Sequence, residues 1–416
     1  MTDPNSLIVW NNQHRVGRLW CNPVGAMGFR YDEQWIAKGG FAISHTLELK
    51  ENNFTPEGGI AHRFFANLLP EAGAREKIVR DLKIPNTDFN LLRAIGGECA
   101  GALSILPEGE QPLSHYSYHP IGDKELLNLV ARRGQLYTWP KHEQPRLSLA
   151  GAQDKCPILV QAGRYLLPQQ ESPSSHILKF ELSDYRHLPA YETFTTQLAK
   201  AVGLPVVNIE LRSIDKTHYA LIERYDRIQD DKGEVQRLHQ EDFCQALGYG
   251  YEQKYQEHGG PTFAQCYQLI RDVSSDPAND LQHLLHWQIF NVLAGNSDGH
   301  GKNLSLLYLA NGDIRLTPFY DLVCTRAIKR IDEHLAFAVG DERNPSMITR
   351  KHWQALASQC DLRAPFLLNQ VQALATQLLD HLGAVKTAFE SQYGEYPALQ
   401  RIEQLVSKQC QRAMKL

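Results

Sequence analysis

The chain has 416 residues, 43% hydrophobic and 22% charged, which suits two or three domain-sized cores and excludes a disordered or fibrous polymer. Its net charge of −4 excludes the broadly basic surface of a protein that grips nucleic acid unaided. The start, MTDPNSLIVW, lacks a basic region followed by an apolar one, no stretch approaches membrane-span length, and eight scattered cysteines form no CxxC; the expected setting is the cytoplasm, with reduced thiols and no membrane partner.

In chain order, SLIVW followed by Asn11-Asn12 predicts a strand and turn, and the run from Gly59 to Leu69 a helix ended by Pro70. The polar, proline-bearing stretch Pro107–His115 (PEGEQPLSH) is a candidate boundary, and Gln169–Ser175 (QQESPSS) reads as a loop. Between Arg146 and Ile228 the pattern is mainly β: RLSLA, CPILVQA, RYLLP, HILKFE, VVNIELRSI and HYALIERYD. One helix interrupts it, Tyr191–Val202, with Tyr191, Phe194, Leu198 and Ala201 on one face and Gly203 closing it. Beyond Gln240 the chain is mostly helical, most clearly at Leu281–Ala294. A single hairpin breaks that region: LSLLYL, the turn Asn311-Gly312-Asp313, then IRLTPFYDL. A β-rich lobe followed by a helical lobe carrying one hairpin is the order found in protein kinases.

Gly295–Leu304 (GNSDGHGKNL) carries the densest chemistry. Phosphoryl transfer needs a carboxylate beside the attacking hydroxyl and oxygen ligands for magnesium. Asp298 with Asn303 five residues on supplies both from one loop, at the D-x-x-x-x-N spacing of a kinase catalytic loop. A polar turn capped by Asp and Asn is the alternative. The hairpin brings Asp321, at the end of its second strand, back to face Asn303 across one ion, although Tyr320-Asp321-Leu322 replaces the usual DFG letters; a helix N-cap is the other reading.

Upstream, Ser148–Lys155 (SLAGAQDK) has the small residues that let amides approach a phosphate, but it is neither a Walker A motif nor GxGxxG. Lys179 sits among apolar neighbours in HILKFE and is costly there unless paired. Glu192, opening the next helix, is the natural partner, as in kinases that hold nucleotide phosphates this way; a lysine snorkelling from an edge strand is the alternative. Glu223–Asp226 (ERYD) stands where a crossing between lobes would offer its backbone to an adenine, or is simply a charged strand end. His283 and His286 lack further metal ligands, and Ser148 lacks a GxSxG elbow, so neither a zinc site nor a hydrolase is favoured.

With these residues in place the chain resembles the HipA family, the kinase toxins of HipB–HipA toxin–antitoxin systems. The resemblance is carried by RLSLAGAQDK (146–155), SHILKF (175–180), IERYDR (222–227), RLHQEDFCQALG (237–248), GNSDGHGKNLS (295–305) and LTPFYDL (316–322). NNQHRVG (11–17), NLLPE (67–71) and IGGECAGAL (95–103) extend it over most of the chain. It implies an α+β, two-lobed, protein-kinase-like fold. Residues 1–110 would form an extra N-terminal subdomain, 111–228 the rest of the β-rich lobe with phosphate loop, nucleotide lysine and hinge, and 229–416 the mainly helical lobe.

The resemblance also implies ATP and Mg2+ as cofactors, Asp298 as catalytic base, and Asn303 and Asp321 as metal ligands. It implies nucleotide contacts from Ala150, Gly151, Ala152, Gln153, Asp154 and Lys155, from Lys179, from Glu223, Arg224 and Tyr225, and from His300, Gly301, Lys302, Asn303, Tyr320 and Asp321. Ser148 matches the serine these kinases phosphorylate on themselves, which expels the phosphate loop and ends activity. Implied partners are a HipB-like helix-turn-helix antitoxin and a protein substrate, typically an aminoacyl-tRNA synthetase, with DNA reached mainly through the antitoxin. A non-catalytic nucleotide-binding partner or corepressor, and a lipid or small-molecule kinase, are the competing readings. Two departures stand out: His239 replaces a proline at an expected loop position, and the stretch Ala336–Trp353 lacks the lysine-rich patch with which the toxin touches DNA.

Overall fold

The structure, a computed structural model, describes residue 3 and residues 5–134, 146–151, 153–182 and 185–416. Ala152 of the expected phosphate loop lies outside them. The first unit is an antiparallel five-stranded sheet of β1 (Ser6–Asn11), β2 (His14–Cys21), β3 (Met27–Tyr31), β4 (Asn53–Phe54) and β5 (Leu103–Pro107), in the order β4-β3-β2-β1-β5. Leu7, Val9, Val16, Leu19 and Phe29 pack against Phe64 and Phe65 of the helix Ile60–Ala66 and against the helix Asp88–Ile95. Gly17 is needed where β2 passes β3, since a Cβ there would lie 2.3 Å from the Arg30 carbonyl oxygen. The first of these helices stops at Ala66, four residues before Pro70.

A six-stranded antiparallel sheet follows: β6 (Tyr118–Ile121), β7 (Lys155–Gln161), β8 (Arg164–Pro168), β9 (His176–Phe180), β10 (Ile209–Ile214) and β11 (Thr217–Glu223), ordered β10-β11-β9-β7-β8-β6. The helix Leu188–Ala201 packs on β9, β10 and β11. RLSLA, expected as a strand of this sheet, is instead an extended strap. Its backbone bonds go to the first unit: Glu98 N–H donates to the Arg146 carbonyl at 2.7 Å, Ser148 N–H to the Glu98 carbonyl at 2.9 Å, and Glu71 N–H to the Gly151 carbonyl at 3.1 Å. Alternating apolar residues suit an extended chain whether or not it joins a ladder, which is why the pattern misleads.

β12 (Arg227–Gln229) and β13 (Val235–Arg237) form a small hairpin. β14 (His239–Asp242) then joins β15 (Ser305–Tyr308) and β16 (Ile314–Leu316), so the expected lone hairpin is a three-stranded sheet. His239 is therefore a buried strand residue: its Nε2 lies 2.7 Å from the Ile43 carbonyl oxygen, and burial holds its pKa down to about 4. β16 ends at Leu316, and the chain leaves the sheet before Asp321. Phe319 there exchanges backbone bonds with Pro205 and Val207, so Asp321 sits beyond a crossing and not at a strand end.

The remaining mass is helical, centred on Pro277–Ala294, whose Trp287, Ile289 and Phe290 are fully buried. Pro277 suits the first helical position and Gly295, at φ 72°, ends the helix in the left-handed region. The helices Arg350–Gln359, Ala364–Tyr393 and Leu399–Ala413 complete the lobe, and among the described residues no helix is long and apolar enough to cross a membrane. The architecture is α+β, with a β-rich side carrying the N-terminal unit and a mainly helical side.

Candidate active site

The turn after Gly295 is built by its own side chains. Asn296 is buried, its amide bonded to Asn291 and its Oδ1 accepting the Asp298 N–H at 3.1 Å. Asn303 closes the turn by donating Nδ2–H to the Asp298 carbonyl at 2.9 Å, and its Oδ1 accepts no hydrogen bond among the described residues. Asp298 ends up half-exposed in the cleft between the lobes. Its Oδ1 accepts the Tyr255 hydroxyl at 2.5 Å and lies 4.0 Å from His300 Nε2. Burial drives the His300 pKa down to about 4, so this imidazole is neutral beside the carboxylate.

The opposite wall presents Lys179 from β9. Its ammonium is buried and bonds Glu192, inside the helix Leu188–Ala201, at 2.7 Å, and it also bonds Asp321. The expected pair is thus present, and Asp321, at φ 55°, adds its carboxylate to it. Ala150, Gly151, Gln153 and Lys155 line the same cleft, whose volume is about 1730 Å³ including its open mouth. Gly151 holds φ 108°, which glycine alone adopts without strain. Lys155 donates to the Ala150 carbonyl at 2.6 Å, and burial followed by repulsion from Lys179 pulls its pKa down to about 7.

Glu223, Arg224 and Tyr225 cross from β11 at the back of the cleft. The Arg224 guanidinium turns away from it into a buried ion network with Glu98, Asp226 and Arg227. Tyr225 stacks on Tyr320 with centroids 5.7 Å apart, and the Tyr320 hydroxyl lies 2.7 Å from Ser305 Oγ and donates to the Lys302 carbonyl. Two expected residues stand off the cleft wall. Asp154 is paired with Lys77 and faces a smaller neighbouring pocket, and Gly301 packs against Pro261 behind the turn. Ser148 is fully buried beside the loop that carries Ala150 and Gly151, its hydroxyl donating to the Leu68 carbonyl at 2.7 Å.

Several cleft residues escaped the sequence reading, among them the partners of the expected Lys302. That ammonium is held by Asn67, through its carbonyl and Oδ1 at 2.8 Å each, and by Asp242 at 3.2 Å. Lys254 pairs with Glu71 at 2.7 Å. The only available signals were that Asn67 and Glu71 belong to NLLPE and that Lys254-Tyr255 stands in a turn-rich stretch without periodicity. Among the described residues no group of three His, Cys, Asp or Glu could hold a metal, so His283 and His286 remain an isolated pair.

Comparison with known proteins agrees over both lobes. Residues 7–106 match the HipA N-terminal domain and residues 147–386 the HipA-like C-terminal domain. The chain is 34% identical to the Sinorhizobium fredii protein Y4mE over 91% of each chain. It is 30% identical to the serine/threonine-protein kinase toxin HipA of Shewanella oneidensis, over 84% of this chain and 81% of that one. The solved complex of Shewanella oneidensis HipA with HipB and operator DNA superposes with a TM-score of 0.83 at 26% identity, covering 98% of this chain and 97% of the other. The chain belongs to the HipA family of kinase toxins.

Proposed function

We propose that this protein is an ATP- and magnesium-dependent serine/threonine protein kinase that acts as the toxin of a toxin–antitoxin pair and silences itself by phosphorylating Ser148. The observation carrying this reading is that a single cleft gathers Asp298, Asn303, Asp321, the Lys179–Glu192 pair and a glycine-bent loop. Asn303 Oδ1 and the Asp321 carboxylate are hard oxygen donors. One carboxylate and one amide suit magnesium, which keeps waters and substrate phosphates as its other ligands. When bound, the ion would bridge phosphate oxygens and neutralise charge developing on them. Lys179 would hold the phosphates, Asp298 would take the proton of the incoming hydroxyl, and the Tyr225 amide, without an acceptor among the described residues, would meet the base.

Lys155 makes the reading sensitive to pH. Its pKa of about 7 is depressed by burial and by Lys179, and a triphosphate beside it would raise that value. ATP binding should then take up a proton above about pH 7, and affinity should fall as pH rises further. Calorimetry in buffers of differing ionisation enthalpy checks this, and Lys155→Met should abolish the uptake.

Ser148 supports self-inactivation. A phosphate adds about two negative charges to a position with no solvent access, so the strap would have to leave its place against Leu68 and Glu98. With labelled ATP, the wild type should incorporate phosphate at Ser148 and lose activity, while Ser148→Ala should incorporate none there and stay active. The alanine should cost only about 1 kcal/mol of stability from the lost hydrogen bond. Absence of any transfer by the wild type would favour a non-catalytic corepressor. An aminoacyl-tRNA synthetase is the proposed substrate class, and a HipB-like antitoxin the proposed partner. With a net charge of −4 on this chain, DNA contact falls mainly to that antitoxin.

A further inference from the structure

Four lysines line the cleft, and three are held by fixed partners. Lys179 is bound by Glu192 and Asp321, Lys155 by the Ala150 carbonyl, and Lys302 by three oxygens of Asn67 and Asp242. Lys254 has one close anionic partner, Glu71, and is the least enclosed of the ion-paired three, with 18% of its side chain exposed. Its backbone is nevertheless fixed to the catalytic turn, because its carbonyl accepts the Gly301 N–H at 3.2 Å. The next residue, Tyr255, donates its hydroxyl to Asp298. Two consecutive residues thus hold the turn, one by its backbone and one by the carboxylate of the base, with the Lys254 ammonium on the cleft side.

Glu71 is an unusual anchor for a permanent pair. It is buried, its Oε2 meets Lys254, and its Oε1 has no hydrogen-bond partner, with Lys302 3.6 Å away. Its own N–H donates to the Gly151 carbonyl of the phosphate loop. If Lys254 left, Oε1 would still lie 3.6 Å from the Lys302 ammonium, so Glu71 can release one cation without becoming an unpaired buried charge.

We propose that Lys254 is a catalytic residue that binds the phosphoryl group in flight, resting on Glu71 when the cleft holds no triphosphate. This rests on the kinase reading above. In the step, the substrate hydroxyl oxygen bonds to the γ-phosphorus and the bond from that phosphorus to the β–γ bridging oxygen breaks, its electron pair leaving on ADP. The hydroxyl proton passes to the Asp298 carboxylate. Lys254 remains an ammonium throughout and donates hydrogen bonds to the equatorial oxygens, where charge is greatest and where the neighbouring Asp298 would otherwise repel it.

The test uses the full chain, with phosphoryl transfer from ATP as one readout and equilibrium binding of ADP and of the β,γ-imido analogue of ATP as the other. Lys254→Met should slow transfer by about 10²–10³-fold. It should weaken the imido analogue by about tenfold, the loss of one charge-assisted contact, and leave ADP binding unchanged. Lys254→Arg should restore most of both. Transfer within about threefold of wild type, or equal weakening of ADP and analogue, would overturn the assignment. Should the methionine variant not fold, Glu71→Gln decides: it should raise the ratio of analogue to ADP affinity, and an unchanged ratio sinks the proposal. A wild type that binds neither nucleotide removes the kinase reading itself, whereas a wild type and methionine variant that transfer equally remove only this inference.

Discussion

Replacing Asp298 by asparagine should lower the rate of phosphoryl transfer by about 10²–10⁴-fold while leaving ATP affinity and thermal stability close to those of the wild type. The size follows from the role: asparagine keeps the shape but cannot accept the hydroxyl proton, and a positioned general base contributes about that factor. The selectivity follows from the surroundings. The carboxylate is half-exposed, and the turn is closed through the Asp298 backbone by Asn296 and Asn303, so the side chain can change without opening the turn. Single-turnover rates with labelled ATP, set beside calorimetric binding, separate the two effects. A variant retaining wild-type transfer would remove Asp298 as the base. Tyr255→Phe, which deletes the hydroxyl on Oδ1, should give a smaller loss of transfer rate in the same assay.

Glu98→Ala should be the most damaging substitution for the fold, at about 3–5 kcal/mol. Glu98 is completely buried and accepts from Arg224 at 2.9 and 3.0 Å, from Arg227 at 2.9 Å and from the Ser174 amide at 3.1 Å. These arginines hold Glu98 below the usual carboxylate range despite its burial. Removing it leaves two guanidiniums in the interior with Asp226 as their remaining carboxylate. Chemical denaturation at neutral pH measures the cost, and a loss under about 1 kcal/mol would show that the network is dispensable. Its backbone also brackets the Ser148 strap, so the variant should expose Ser148 to phosphorylation faster, which the labelling assay reads independently.

The turn carrying Asp298 and Asn303 was legible because its residues are local. Asp298 and Asn303 lie within one turn, and Lys179 and Glu192 are 13 residues apart, close enough for strand and helix spacing to suggest a pair. Lys302 and Asn67 are 235 residues apart, and Lys254 and Glu71 183, and nothing in a single sequence links such positions. The strand β14 was hidden because Leu238–Asp242 offers no alternating apolar face; its burial comes from the N-terminal unit packing on it, through Ser44 to Glu241 and Ile43 to His239. The turn containing Lys254 has no period at all. Tertiary contact, and not propensity, decides all three.

The Lys302 contact also bears on how such proteins can be recombined. The two halves matched by separate family models share one ammonium: it belongs to the C-terminal half, yet two of its three close oxygens come from Asn67 in the N-terminal half. A chimera joining halves from two relatives would inherit a cleft wall cut to fit another turn. Swapped genes should therefore yield catalytically poor hybrids unless the NLLPE segment travels with the turn that carries Lys302, which makes that segment the practical seam for engineering.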